Sequence, residues 1–234
     1  MNVTPLLTIA LGGIAALDAT PVAQTLLSQP LITASILGLL WHDWPLALQV
    51  GLVLQVFAAG TLPVGARTPE DYATGGVIGT GIALALSRSA PFAVAHDACA
   101  MIGVVSGMIA AAAGVPLLKW QRRRNEGLSR WCEDSLRRGD ARALGSAHTA
   151  AVVLAFGVGV VFTAVLLAAG SALRPLVAHH SLRLARAWTL AQPVWLGLGL
   201  GHLLHAFVQR RFTRAALFGL GLVVGWILLV VQGE

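Results

Sequence analysis

The chain has 234 residues, of which 56% are hydrophobic and only 11% charged, at a mean hydropathy of +0.76. A soluble domain carries about a quarter of its residues as charges, so this balance excludes one and defines a membrane protein. The net charge of +6 does not signal nucleic-acid binding, because half of the 16 Lys and Arg residues crowd between Lys119 and Arg142, as in the short basic loop of a positive-inside membrane protein.

The opening MNVTPLLTIALGG has no basic n-region and no convincing cleavage pattern, so it is read as mature protein rather than a signal peptide. Apolar segments are expected at 5–16, 30–40, 45–62, 74–86, 92–118, 149–173, 188–208 and 215–231. A full span takes about 20 residues. The last four segments qualify as spans, whereas the first four are short and broken by Pro and Gly. Short neighbouring apolar pieces of this kind are expected to be discontinuous or re-entrant helices, a backbone tolerated at membrane depth only where it is buried or lines a cavity. The expected fold is an all-α, polytopic membrane protein with broken helices in its N-terminal half. Its expected regions are 1–118 with the substrate path, a basic cytoplasmic loop at 119–148, and C-terminal membrane helices at 149–234.

Within the polar stretch, Leu128, Trp131, Cys132 and Leu136 fall on one side of a short helix, which is expected to lie along the cytoplasmic surface. With that stretch inside, 149–173 runs outward and 188–208 returns, bringing Arg210, Arg211 and Arg214 inside too. Arg174, Arg183 and Arg186 then fall outside, against the charge rule. Glycines recur four residues apart as Gly75/Gly79, Gly103/Gly107 and Gly221/Gly225, the spacing of helix contact faces; hinges for a moving domain are the other reading.

Ionisable groups in or beside apolar segments mark candidate sites, here Asp18, His42, Asp43, Asp71, His96 and Asp97. Asp18 either caps the next helix with Thr20 and Pro21 or lines the site. His42 and Asp43 fall at a turn, as a solvated tip or as part of the path. Gln55 is a lone amide in VGLVLQVFAAG and needs partners, which are either a neighbouring helix or the hydroxyls of a sugar. His202 and His205 share a helical face without an evident third metal ligand, and His179-His180 reads as a loop. Cys99 and Cys132 form no ligand or disulfide pattern. No metal, cofactor or catalytic motif is expected.

The run PLITASILGLLWHDWPLALQVGLVLQVFAAGTLPVGARTPED resembles, without a gap, the N-terminal signature of the mannose/fructose/sorbose-type phosphotransferase system membrane component IIC. Pro30, Leu31, Gly38, Asp43, Gly51, Leu54, Gly60, Gly65, Ala66 and Asp71 carry the likeness. Arg124, Asn125, Asp134, Gly139, Asp140 and His148 match a second family pattern in the polar stretch. The resemblance implies a multi-pass IIC permease subunit in the bacterial inner membrane that is not itself an enzyme. Such a subunit works in an oligomeric assembly with a membrane IID subunit to carry a hexose, while soluble IIA and IIB components relay the phosphoryl group. On this basis Asp43, Gln55 and Asp71, followed by Asp18 and His42, are the expected substrate-binding residues. The chain departs from the signature at Gln29, where the family has Arg, at His42 and Ala47, where it has Gly, and at Gln55, where it has Glu. The last departure leaves open a second function, a non-transporting membrane scaffold or sensor for soluble phosphotransferase proteins.

Overall fold

The computed structural model describes residues 3–19, 22, 25–61, 68–88, 96–208 and 210–232, the side chains of 206, 207, 214, 222 and 224–232 excepted. Among them are eight helices and no strand: α1 (Thr4–Ala19), α2 (Pro30–Trp41), α3 (Trp44–Gly60), α4 (Tyr72–Arg88), α5 (His96–Arg137), α6 (Ala143–Ser171), α7 (Arg174–Phe207) and α8 (Arg211–Gln232). Each of the eight expected apolar segments overlaps one of these helices; position 62 of the third and positions 92–95 of the fifth lie outside the described residues. The all-α expectation therefore holds, with short helices preceding long ones.

Local chemistry sets the boundaries at the broken region. Pro30 opens α2, where a missing N–H costs nothing. His42 closes it in the left-handed conformation at φ 52°, and the N–H groups of His42 and Asp43 return to the carbonyls of Leu39 and Gly38 at 3.2 and 3.0 Å. Asp43 then caps α3 by accepting from the Leu46 N–H at 3.4 Å, with Pro45 in the first turn. One helix thus ends and the next begins within two residues.

The core lies where α2, α3, α4 and α5 meet, around fully buried Leu37, Leu46, Val50, Leu54, Ile78, Leu84 and Val104. Backbones touch directly between α4 and α5. A Cβ on Gly79 would sit 2.5 Å from the Gly103 carbonyl oxygen, and one on Gly75 would sit 2.8 Å from that of Gly107. These two glycine pairs are contact faces, as their spacing predicts. Gly221 is different: nothing lies within 4 Å of a Cβ there, and Gly225 lies outside the residues whose surroundings are described. Outside the core, α1 packs on α6 and α7 covers α3 and α5, while α8 touches mainly α7.

Two expectations need correction. The polar stretch is not a separate surface helix, because α5 continues for 42 residues through Pro116 and past Lys119. Lys, Arg, Gln, Glu and Leu all favour a helix, so the change from apolar to basic is a change of composition along one helix and not its end. His179 and His180 are likewise not in a loop but inside α7, at a kink where His180 has φ −112° and ψ 17°. Among the described residues, α5 and α6 are long and apolar enough to cross a membrane, and α1, α2 and α3 are shorter apolar helices.

Candidate functional site

Where α5 changes from apolar to basic, a cavity of about 280 Å³ opens between the ends of α1 and α3, the start of α2, residues 69–74, α5 and α6. Its polar lining includes Ser28, Gln29, Glu70, Asp71, Gln121, Arg122 and Asn125, set among Pro30, Tyr72 and Phe162. The volume lies just under the usual ~300–1,000 Å³ of small-molecule sites. A few fixed polar groups in an apolar wall suit a small polar ligand, whose hydroxyls need both donors and acceptors.

Three tertiary devices hold that wall. Asp18, 5% exposed at the end of α1, accepts hydrogen bonds from the Thr25 N–H, from the Thr25 hydroxyl at 2.6 Å and from the Ser28 N–H at 2.7 Å. It thereby fixes the approach to α2 from behind the cavity, and Thr20 and Pro21, its expected capping companions, lie outside the described residues. Gln55 reaches from α3 to the start of α2, where its Oε1 accepts from the Leu31 N–H at 3.1 Å and its Nε2 donates to Gln29 Oε1 at 2.7 Å. It satisfies a first-turn donor of α2 and positions Gln29 on the cavity wall. Asp71 caps α4, accepting from the Thr74 N–H at 3.2 Å and the Thr74 hydroxyl at 2.6 Å. Its own N–H donates to the Ala111 carbonyl at 2.9 Å. Gly114 makes room for it: a Cβ there would lie 2.6 Å from Asp71 Cβ.

Asp18, Gln55 and Asp71 are thus gathered around one cavity, with Asp71 on its wall and the other two behind it. His42 and Asp43 are not with them. They lie beyond the far end of α2, beside the start of α5, where Asp43 Oδ2 sits 3.4 Å from His96 Nε2 and accepts from the Ser87 hydroxyl at 3.4 Å. From His96 to Leu118, α5 rises ~33 Å at ~1.5 Å per residue, close to the ~30 Å thickness of a bilayer core, and the Asp43 cluster and the cavity stand at opposite ends of this apolar stretch. Arg88 closes the Asp43 end, donating to the Trp41 carbonyl and lying 5.7 Å over the Trp41 ring. Trp41 Nε1 in turn donates to Thr8 of α1 at 3.0 Å.

Gln29 is the wall residue that sequence reasoning missed as a site, although its signal was present. The two departures from the family signature, Gln for Arg at 29 and Gln for Glu at 55, are hydrogen-bonded partners. Asn125 also lines the cavity, and its shielded Oδ1 has no hydrogen-bond partner among the described residues. His202 approaches Gly60, where a Cβ would lie 2.2 Å from its ring. No group of three or more His, Cys, Asp or Glu suited to a metal ion occurs among the described residues.

Among the described residues, an all-helical fold with two helices long and apolar enough to cross a membrane, and a cavity with a few polar groups among α1 to α6, defines a helical membrane protein. Two solved structures share the fold: one described as a membrane protein, at 18% identity and TM-score 0.74 over 100% of this chain and 92% of its own, and the mannose transporter ManYZ in complex with microcin E492, at 17% identity and TM-score 0.62 over 97% and 95%. No curated protein matches the sequence. The model of the sorbose-specific IIC component of the phosphotransferase system matches residues 3–231, and the chain belongs to that family. It is a membrane component of a sugar phosphotransferase system.

Proposed function

We propose that the chain is the multi-pass IIC permease subunit of a phosphoenolpyruvate-dependent phosphotransferase system in the bacterial cytoplasmic membrane, and that it carries a hexose in an oligomeric assembly with a IID subunit. Soluble IIA and IIB components perform the phosphoryl transfer, and this chain supplies the path. The observation that carries the reading is the family match across 3–231, joined to a polar cavity of monosaccharide size at the basic end of the molecule. Gln29 and Asp71 contact the sugar, while Gln55 and Asp18 position the wall. His42 and Asp43 belong to the opposite end of the path, which parts when the site turns to the other side of the membrane. The basic face of α5 near the cavity mouth suits an acidic docking partner, such as a soluble phosphocarrier.

One observation bears on the second reading, a scaffold that has given up transport. Gln55 lacks the charge that the signature resemblance leads one to expect, but Gln29 lacks the opposite one, and the two amides are hydrogen-bonded to each other. That favours a retained site. The test is uptake of labelled hexoses by vesicles holding this chain with its candidate IID subunit, loaded with phosphoenolpyruvate and the soluble components. Uptake that requires phosphoenolpyruvate and falls at least tenfold in Asp71→Ala is expected. No uptake of any hexose, with the chain folded and paired, would reject transport in favour of the scaffold.

A further inference from the structure

After Asp140 the chain holds no acidic residue before Glu234, yet Arg174, Arg183 and Arg186 lie in this stretch. They stand far from the basic end of α5. The 29 residues of α6 rise ~43 Å at ~1.5 Å per residue, more than the ~30 Å apolar core, and deliver the chain to the opposite interface just before Arg174. There the three arginines contradict the charge bias of a positive-inside protein. None has a carboxylate partner among the described residues, and an uncompensated cationic cluster points to a counter-charge from outside the chain.

We propose that the kink of α7 binds the phosphate of an anionic phospholipid headgroup. The helix breaks at His180, and a cavity of about 390 Å³ opens there, lined by His179, His180, Ser181, Leu182, Arg183 and Arg186. Arg183 and Arg186, three residues apart, share a helix face and offer planar forks of N–H donors suited to phosphate oxygens. The rings of His179 and His180 meet edge to face at 4.6 Å beside them. Apolar surface decides for a lipid over an acidic protein segment: Leu182 and Leu190 on the same helix are 75% and 74% exposed. Cationic heads next to exposed leucines are the composition of a membrane interface, with the charge for the headgroup and the apolar surface for its acyl chain.

The experiment measures lipid retained by the purified full chain in micelles, by native mass spectrometry, with phosphatidylglycerol or phosphatidylcholine of equal chain length. Phosphatidylglycerol is expected to bind about 10- to 30-fold more tightly, the scale for two basic residues near an anionic surface. Arg183→Gln with Arg186→Gln should erase the preference, Arg183→Lys with Arg186→Lys should keep most of it, and Arg123→Gln with Arg137→Gln at the other interface should leave it unchanged. Fluorescence of Trp188, buried against Trp195 at 6.0 Å, checks that α7 is folded in each variant. Equal binding of the two lipids by the unaltered chain, or undiminished preference in a folded glutamine pair, overturns the proposal. Displacement of the lipid by inorganic phosphate alone assigns the site to a free anion. A glutamine pair that keeps its lipid but loses a membrane partner subunit assigns the arginines to a protein interface.

Discussion

The hydrogen bond between Gln29 and Gln55 makes a quantitative prediction. At 2.7 Å, Gln55 Nε2 donates to Gln29 Oε1, so Gln55→Glu replaces a donor with an acceptor facing an acceptor. The Gln29 amide relieves the clash by turning over about its broad terminal torsion, and one oxygen of the introduced carboxylate still serves the Leu31 N–H. What remains is a half-buried carboxylate without a cation, a cost of about 1–3 kcal/mol. Gln29→Arg alone places an unpaired cation beside the first turn of α2, where the helix dipole opposes it by about 0.3–1 kcal/mol. Together the two substitutions create a charge-assisted hydrogen bond worth about 1.5–3 kcal/mol. The double variant should therefore be more stable than the two single losses imply, by roughly that amount. Denaturant unfolding of the four proteins of the cycle in mixed micelles measures the coupling. Additivity within about 0.5 kcal/mol would refute the claim that these two positions form one interacting pair.

Gly79→Ala drives a methyl toward the Gly103 carbonyl and should destabilise the fold by about 1–3 kcal/mol. Gly127→Ala, on α5 with nothing within 4 Å of a Cβ, should instead stabilise it by about 0.5–1 kcal/mol through helix propensity; thermal unfolding in detergent separates the two signs. Asp18→Ala leaves three donors around Thr25 and Ser28 without their acceptor and should cost about 2–4 kcal/mol, seen as a lower unfolding midpoint and weaker hexose binding. At the far end, Arg88→Gln should speed maleimide labelling of buried Cys99 in a Cys132→Ser background more than Asp43→Ala does. Equal labelling rates in the two variants would count against Arg88 as the principal tie there.

The helices were largely legible because their punctuation is local. Pro30, Pro45, Asp43 and Asp71 mark starts by their own chemistry, and the four-residue glycine spacing at Gly75/Gly79 and Gly103/Gly107 anticipated where backbones would touch. The continuity of α5 was not legible in the same way. A polarity change at Lys119 says where the surroundings change, and the hydrogen-bond ladder runs on regardless. The site was half legible. Asp18 and Asp71 advertise themselves as charges in apolar sequence, but Gln29 is a neutral residue before a proline, and its meaning depends on a partner 26 positions away. His42 and Asp43, in turn, lie only 13 and 14 residues from Gln29, and the length of α2 carries them to the far end of that helix.

The two ends of α2 and α3 also differ in how tightly they are tied. At the cavity, each device that holds the wall includes a short bond: 2.6 Å from the Thr25 hydroxyl and 2.7 Å from the Ser28 N–H to Asp18, 2.7 Å between Gln55 and Gln29, and 2.6 Å from the Thr74 hydroxyl to Asp71. At the far end, Leu46, Ser87 and His96 all meet Asp43 at 3.4 Å, beyond the usual 2.7–3.2 Å for N–H donors and the still shorter range for hydroxyls. That leaves Arg88 on Trp41, and Trp41 on Thr8 at 3.0 Å, as the closer side-chain contacts there. A transport path needs a rigid binding wall and a seal that can part, because a ligand is recognised only where the geometry is fixed and released only where it is not. On the transport reading, the first requirement falls on Gln29 and Asp71 and the second on the turn at His42 and Asp43. Ionisable residues at both places then serve one function through opposite mechanical properties.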